Sequence, residues 1–165
     1  MTTSAEVDIA VTELQGKSPQ EVLTWALDKF HPHVSLASSF GAEDVVLIDM
    51  MASIRPDACV FTLDTGRLPG ETYDVMSAIA KKYPQMQIKT MFPQTETVQN
   101  MVQEHGINLF YDSVENRKLC CQLRKVEPLN RALEGLQAWI TGLRRDQTNN
   151  RAEMQVVELD TARDL

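Results

Sequence analysis

Cysteine and positive charge are both scarce in this chain. Three cysteines in 165 residues cannot build a disulfide framework, and an odd number without a secretion signal fits a reducing compartment. The first residues, MTTSAEVDIAVTELQGK, have no basic segment followed by an apolar run. No signal peptide is read, and a cytoplasmic protein is expected. No apolar stretch is long enough to span a bilayer. The net charge is −7, with 16 Lys and Arg against 23 Asp and Glu, which argues against nucleic acid or an anionic membrane as partner. His33 and His105 lack zinc-ligand spacing, and His31 next to Pro32 reads as a helix end. Internal repeats and low-complexity tracts are missing too. What is present is 43% apolar residues, enough for a core without staples, in a length suited to one domain. Residues 18–165 read as that domain, and residues 1–17 as an N-terminal segment.

Helical and strand patterns alternate along it. Ser18-Pro19-Gln20-Glu21 is a helix start with a capping box and proline in the first turn, and its helix should run to about Phe30. HVSLA (33–37) is a buried strand, and Ala42 to Ile54 a helix. ACVFTL (58–63) is a second strand, followed by the loop DTGRLPG and a helix from Glu71 to Tyr83. Gln87 to Met91 is a third strand. Thr95 is expected to cap a helix that Gly106 ends. A less regular part, NLFYDSVENRKL, precedes a helix over Cys120–Leu136 with a break or bend at Pro128. AWIT (138–141) and Met154 to Leu159 are the fourth and fifth strands. The alternation predicts an α/β Rossmann-like three-layer sandwich around a mostly parallel sheet of about five strands.

Three strand-end loops carry candidate chemistry, and in open parallel sheets ligands bind at the carboxyl ends of strands. In LASSFGAEDVVL, Ser38, Ser39 and the backbone around Gly41 lie at a helix N-terminus, where free N–H groups and the dipole suit a phosphate. Glu43 and Asp44 in the same first turn require further cations for a polyphosphate. In FTLDTGRLPGETY, the Leu63–Gly66 backbone with Thr65 is placed to read a nucleobase edge, and Arg67 to neutralise an anion. In ITGLRRDQTNNR, Gly142 precedes Arg144, Arg145 and Arg151, whose forks suit phosphate and sulfate oxygens. Plain helix capping, a Gly/Pro turn and a solvated loop are the respective structural alternatives.

The fourth motif is KLCCQLRKVEPL. Cys120 and Cys121 are adjacent, with Arg117, Lys118, Arg124 and Lys125 around them. Nearby cations stabilise thiolates, the form that binds metal or attacks electrophiles. Neighbours on a helix point about 100° apart, so both reach one metal group only at a helix end or bend. Lys125 shares the Cys121 face. Two small apolar residues are the plainer alternative. Cys59, in an apolar strand, reads as core. Half of the basic residues lie between Arg117 and Arg151, making one cationic region on an otherwise acidic protein.

SSFGAEDVVL, LDTGRLPGETY, CCQLRKVEPL and ITGLRRDQTNNR, in this order and spacing, resemble the assimilatory adenylyl-sulfate reductases, within the wider phosphoadenylyl-sulfate/adenylyl-sulfate reductase family. The resemblance covers about residues 20–160. It implies an adenine-nucleotide α-hydrolase-like fold and reduction of adenylyl sulfate to sulfite and AMP, in sulfate assimilation and cysteine biosynthesis. A cysteine thiolate near the family's C-terminus attacks the sulfate sulfur, and thioredoxin or glutaredoxin then releases sulfite. The cysteine pair marks members that carry a 4Fe-4S cluster and prefer adenylyl sulfate. The resemblance makes Cys120 and Cys121 cluster ligands, and Lys125 an electrostatic link between cluster and sulfate. It makes Ser38, Ser39, Gly41, Leu63, Thr65, Gly66, Arg67, Gly142, Arg144, Arg145 and Arg151 the substrate-binding set.

The family's second cysteine pair, a CxxC, and its terminal nucleophilic cysteine in an ECG-like motif are both missing from the sequence. This polypeptide is therefore expected to be a shortened form that binds nucleotide without turnover and without a complete cluster. Three alternatives stay open: a phosphoadenylyl-sulfate reductase, an ATP-pyrophosphatase-type adenylyltransferase (whose expected loop is SGGxDS), and a noncatalytic nucleotide-binding module. A homo-oligomer is compatible with the sequence.

Overall fold

The computed structural model describes residues 4–144, 153–163 and 165. Helix α1 (Ser4–Leu14) precedes α2 (Pro19–Phe30), β1 (Val34–Ala37), α3 (Ala42–Ile54), β2 (Cys59–Leu63), α4 (Gly70–Lys82), β3 (Gln87–Met91) and α5 (Thr95–His105). A short 3-10 turn at Leu109–Tyr111 leads into α6 (Val114–Cys121), a π-helical turn (Gln122–Val126), α7 (Glu127–Leu133) and β4 (Ala138–Thr141).

The start of α2 shows how directly sequence sets structure here. Ser18 Oγ accepts from the Glu21 amide at 3.3 Å, and the Ser18 amide donates back to Glu21 Oε2 at 2.9 Å. That backbone bond, the Ser18 hydroxyl and then Lys17 hold the Glu21 carboxyl down to about 2, from an ordinary 4.5. A carboxylate held low in the folded state contributes stability that is fully present above 4.5 and is lost as pH falls toward 2. Thermal melts between pH 5 and pH 2 should therefore show a smaller drop for Glu21→Gln than for wild type. Equal pH dependence in both would remove this contribution.

The four strands form one parallel sheet in the order β3-β2-β1-β4. Because strand residues alternate in direction, Val34, Leu36 and Val60 face one side, where they bury against Leu23 and Leu27 of α2, Ile48 and Met51 of α3, and Ile79 of α4. Helix α7 packs against β2 and β3. A second cluster joins α5 to α6 through Met101, Leu109 and Cys120. No helix among the described residues is long and apolar enough to cross a membrane.

Several expectations change. Among the described residues the sheet has four strands, because Met154–Leu159 is not a strand. It pairs with no strand of the sheet, and the amide bonds at its two ends are local. The Gln155 amide donates to Glu158 Oε1 at 2.8 Å, the Asp160 amide to the Leu165 carbonyl at 2.7 Å, and Arg163 ties the segment to Asn130 of α7 at 3.1 Å. The stretch read as irregular contains α6, capped by Ser113 Oγ accepting from the Asn116 amide at 3.0 Å. Gln94, not Thr95, is the N-cap of α5. The helix expected over Cys120–Leu136 runs from Val114 to Leu133, and the irregularity expected at Pro128 is a widening of the helix just before it. The Glu127 amide reaches back five residues to the Gln122 carbonyl. A proline lacks an N–H and its ring crowds the carbonyl four residues earlier, and the wide turn accommodates both.

Candidate functional site

Strand order reverses between β1 and β4. The chain leaves β1 toward β2 and β3, then crosses back to place β4 on the other side of β1. The crevice beyond the carboxyl ends of two such strands is the usual ligand site of an open α/β sheet. The loops that line it follow β1, β2 and β4.

The β1 loop, residues 38–41, is tightly fixed. The Ser38 amide extends the ladder to the Phe61 carbonyl at 2.9 Å, and its buried hydroxyl accepts from the Phe40 amide at 3.0 Å. Phe40 has φ +58, a left-handed conformation that costs a bulky residue about 1–3 kcal/mol. Burial of its ring at 6% exposure in the main core holds it there. Asp44, in the first turn of α3, folds back so that its Oδ2 accepts from the Ser39 amide at 2.6 Å and the Ser39 hydroxyl at 2.8 Å. Gly41 caps α3 through its backbone alone.

The β4 loop meets this turn at one point. A Cβ on Gly142 would lie 2.1 Å from Asp44 Oδ1 and 3.2 Å from its Cγ. Only a glycine lets the loop after β4 approach the carboxylate that fixes the loop after β1. Arg144 follows, with its Nη2 3.6 Å from Glu43 Oε1. The acid in the first turn of α3 thus faces an arginine from the neighbouring strand end. Arg145 and Arg151 lie outside the described residues.

The β2 loop is built around Asp64. This buried carboxylate accepts from the Gly66 amide at 2.8 Å, and from the Tyr73 hydroxyl at 3.1 and 2.9 Å. The hydrogen bond to Asp64 pushes the Tyr73 phenol up. Leu63 is half-buried at the strand end, and Thr65 is buried. Gly66, at φ +72, turns the chain. Arg67 is held by the 107–110 segment. It donates to the Ile107 carbonyl and, at 2.9 Å, to Asn108 Oδ1, and its guanidinium lies 4.6 Å from the Phe110 ring centre.

The cysteine pair sits where α6 passes into the π turn. Cys120 is buried against α5 and Cys121 is exposed, as is Lys125. Cys59 is buried in β2, where burial pushes its thiol up. A four-thiolate cluster needs more than this chain holds. Among the described residues no three His, Cys, Asp or Glu side chains could hold a metal ion. The pair is half the number of thiolates such a site needs, and Cys59 forms no metal-holding group with it.

The profile of the phosphoadenosine phosphosulfate reductase domain matches residues 33–164. The chain belongs to this family. Within it, the adenosine 5'-phosphosulfate reductase of Burkholderia cepacia is 45% identical over 164 residues, covering 99% of this chain and 65% of that protein. That of Neisseria meningitidis serogroup A is 44% identical over 135 residues, covering 82% of this chain and 55% of that protein. A plant relative, 5'-adenylylsulfate reductase 1, chloroplastic, of Arabidopsis thaliana, is 44% identical over 149 residues, covering 90% of this chain and 31% of that protein. The chain spans a little over half to about two-thirds of these bacterial relatives. The crystal structure of a phosphoadenylyl-sulfate reductase from Candida auris, in a phosphate complex, matches with a TM-score of 0.80 at 28% identity, over 99% of this chain and 77% of that one. The fold of this reductase-family chain is the adenine-nucleotide α-hydrolase-like one that its motifs imply.

Sequence reasoning missed the parts played by Asp44, Asp64, Phe40 and Arg124. Asp44 and Asp64 carried a usable signal, an acid within a few residues of Ser39 or Gly66. Nothing in the sequence marked the backbone of Phe40 or the burial of Arg124.

Proposed function

We propose that this chain is the sulfonucleotide-binding part of an adenylyl-sulfate reductase. The whole protein would reduce adenylyl sulfate to sulfite and AMP, with thioredoxin or glutaredoxin as the electron donor, in assimilatory sulfate reduction and cysteine biosynthesis. One observation carries the reading most: Gly142 meets Asp44 at the point where strand order reverses, which sets the first turn of α3 beside Arg144.

The chain's residues supply binding and orientation. The N-terminal end of α3 at Gly41 offers backbone donors and a positive dipole end to the phosphosulfate. Arg144 supplies a fork for its oxygens, joined in the proposal by Arg145 and Arg151. The Leu63–Gly66 strand end takes the adenine. Cys59 is unsuited to attack the sulfur, being buried with its thiol pushed up. Cys120 and Cys121 would provide two of the four thiolates of a 4Fe-4S cluster in the complete protein, with Lys125 as the adjacent cation. The pair is also the ground for preferring adenylyl sulfate over its 3'-phosphorylated form.

Titration calorimetry of the 165-residue chain tests this. Adenylyl sulfate and AMP should both bind, and the 3'-phosphorylated nucleotide should bind more weakly. No heat from either of the first two with a folded sample would remove the proposal. Cleavage of ATP to AMP and pyrophosphate would replace it with an adenylyltransferase.

A further inference from the structure

Arg124 is a buried cation without a matching anion among the described residues. It is 8% exposed, and arginines are almost never that buried unless paired. No carboxylate among the described residues forms an ion pair with it. Its Nη1 donates to the Thr65 carbonyl at 2.6 Å, and its Nε is buried with no acceptor among the described residues. Burying a charge beside an unmet donor costs stability, so stability does not explain the placement.

What the placement does is join two sites. Arg124 lies in the π turn, whose N-cap is Cys121. At its other end, the guanidinium fits so closely under the β2 loop that a Cβ on Gly66 would stand 3.3 Å from Nη1. Asp64 and Tyr73 hold the same loop, but both come from the β2–α4 region itself. Arg124 reaches it from the cysteine-bearing helix. The π turn, just before Pro128, puts the wider helical geometry beside the two thiols.

We infer that Arg124 is a positioning residue, a buried strut through which the state of the Thr65–Gly66 loop reaches the turn bearing Cys120 and Cys121. This rests on the nucleotide-binding reading of that loop. Coupling of this kind is reciprocal: whatever nucleotide does to the cysteine turn, a change at the cysteine turn does to the loop.

Two readouts on the wild-type chain and Arg124→Met test it. Hydrogen exchange needs no ligand. Arg124→Met should speed exchange of the Thr65 and Gly66 amides about tenfold, while the β1–β2 ladder keeps its protection. Arg124→Lys, which keeps one donor for the Thr65 carbonyl, should restore part of that protection. The second readout is alkylation by iodoacetamide of Cys121, the one exposed cysteine. AMP should change its rate about fivefold in wild type and leave it unchanged in Arg124→Met. Unaltered exchange at Thr65 and Gly66, an even rise across the whole sheet, or an AMP effect that survives in Arg124→Met would each overturn the strut. If wild type binds no AMP, the nucleotide reading fails, and the exchange readout still judges the strut. If Arg124→Met does not fold, wild type alone decides: alkylating Cys121 must alter exchange at Thr65 and Gly66, and no change overturns the inference.

Discussion

Gly142→Ala should weaken adenylyl sulfate or AMP binding about 100-fold, a loss of about 2.7 kcal/mol. The new Cβ would stand 2.1 Å from Asp44 Oδ1, closer than any real contact, and the neighbouring Cγ at 3.2 Å leaves little room to retreat. Either the loop after β4 withdraws or the carboxylate does. If the loop withdraws, Arg144 moves away from Glu43. If the carboxylate withdraws, Ser39 loses the acceptor for both its amide and its hydroxyl. Both outcomes open the crevice while the sheet beneath it stays paired. Calorimetry with either nucleotide reads the loss, and circular dichroism checks the fold. A folded variant with wild-type affinity would show that the two loops need not touch.

Asp44→Ala should lower stability by about 2–4 kcal/mol, since it leaves two donors without a charged acceptor in a half-buried turn. For a chain of this size that is a fall of roughly 5–15 °C in melting temperature. Asp44→Asn keeps an acceptor oxygen and should lose much less. The two substitutions also test each other. With the carboxylate gone, the methyl of Gly142→Ala has space, so the double variant should cost less than the sum of the singles. Strict additivity would break the link between Asp44 and Gly142.

Much of the layer pattern was legible because local rules were strong. Ser18 and Glu21 announced α2, and short apolar runs bounded by turns announced β1, β2 and β4. Helix α6 was not legible, because VENRKLCC carries no apolar stripe at helical spacing, and Ser113 as its cap stood inside a polar stretch. The fifth strand failed for a complementary reason. MQVVEL has strand-like residues, yet strand propensity expresses itself only beside a partner, and among the described residues no strand pairs with it. The site was half legible. The glycine and arginine of the β4 loop could be named from motif and charge. That Gly142 must touch Asp44 depends on β4 lying beside β1, and strand order is not written in any local pattern. The sequence offered Arg67 as a free cation, and the structure gives it to Ile107 and Asn108.

The register that makes the crevice also sets the conditions for its assembly. Val34 pairs with Ala138 and Ala37 with Thr141, so β4 returns to β1 only after roughly a hundred intervening residues have been placed. Closing so long a loop costs about 2 kcal/mol more in chain entropy than closing one of ten residues. Pairing β1 with β2 spans far less chain. The crevice therefore depends on the least local pairing in the sheet, and that pairing is slow to form by contact-order reasoning. A partly folded chain can hold β1, β2 and β3 together with most of the core and still lack the approach of Gly142 to Asp44. If the proposed nucleotide site is right, its occupancy would report how far the chain has folded.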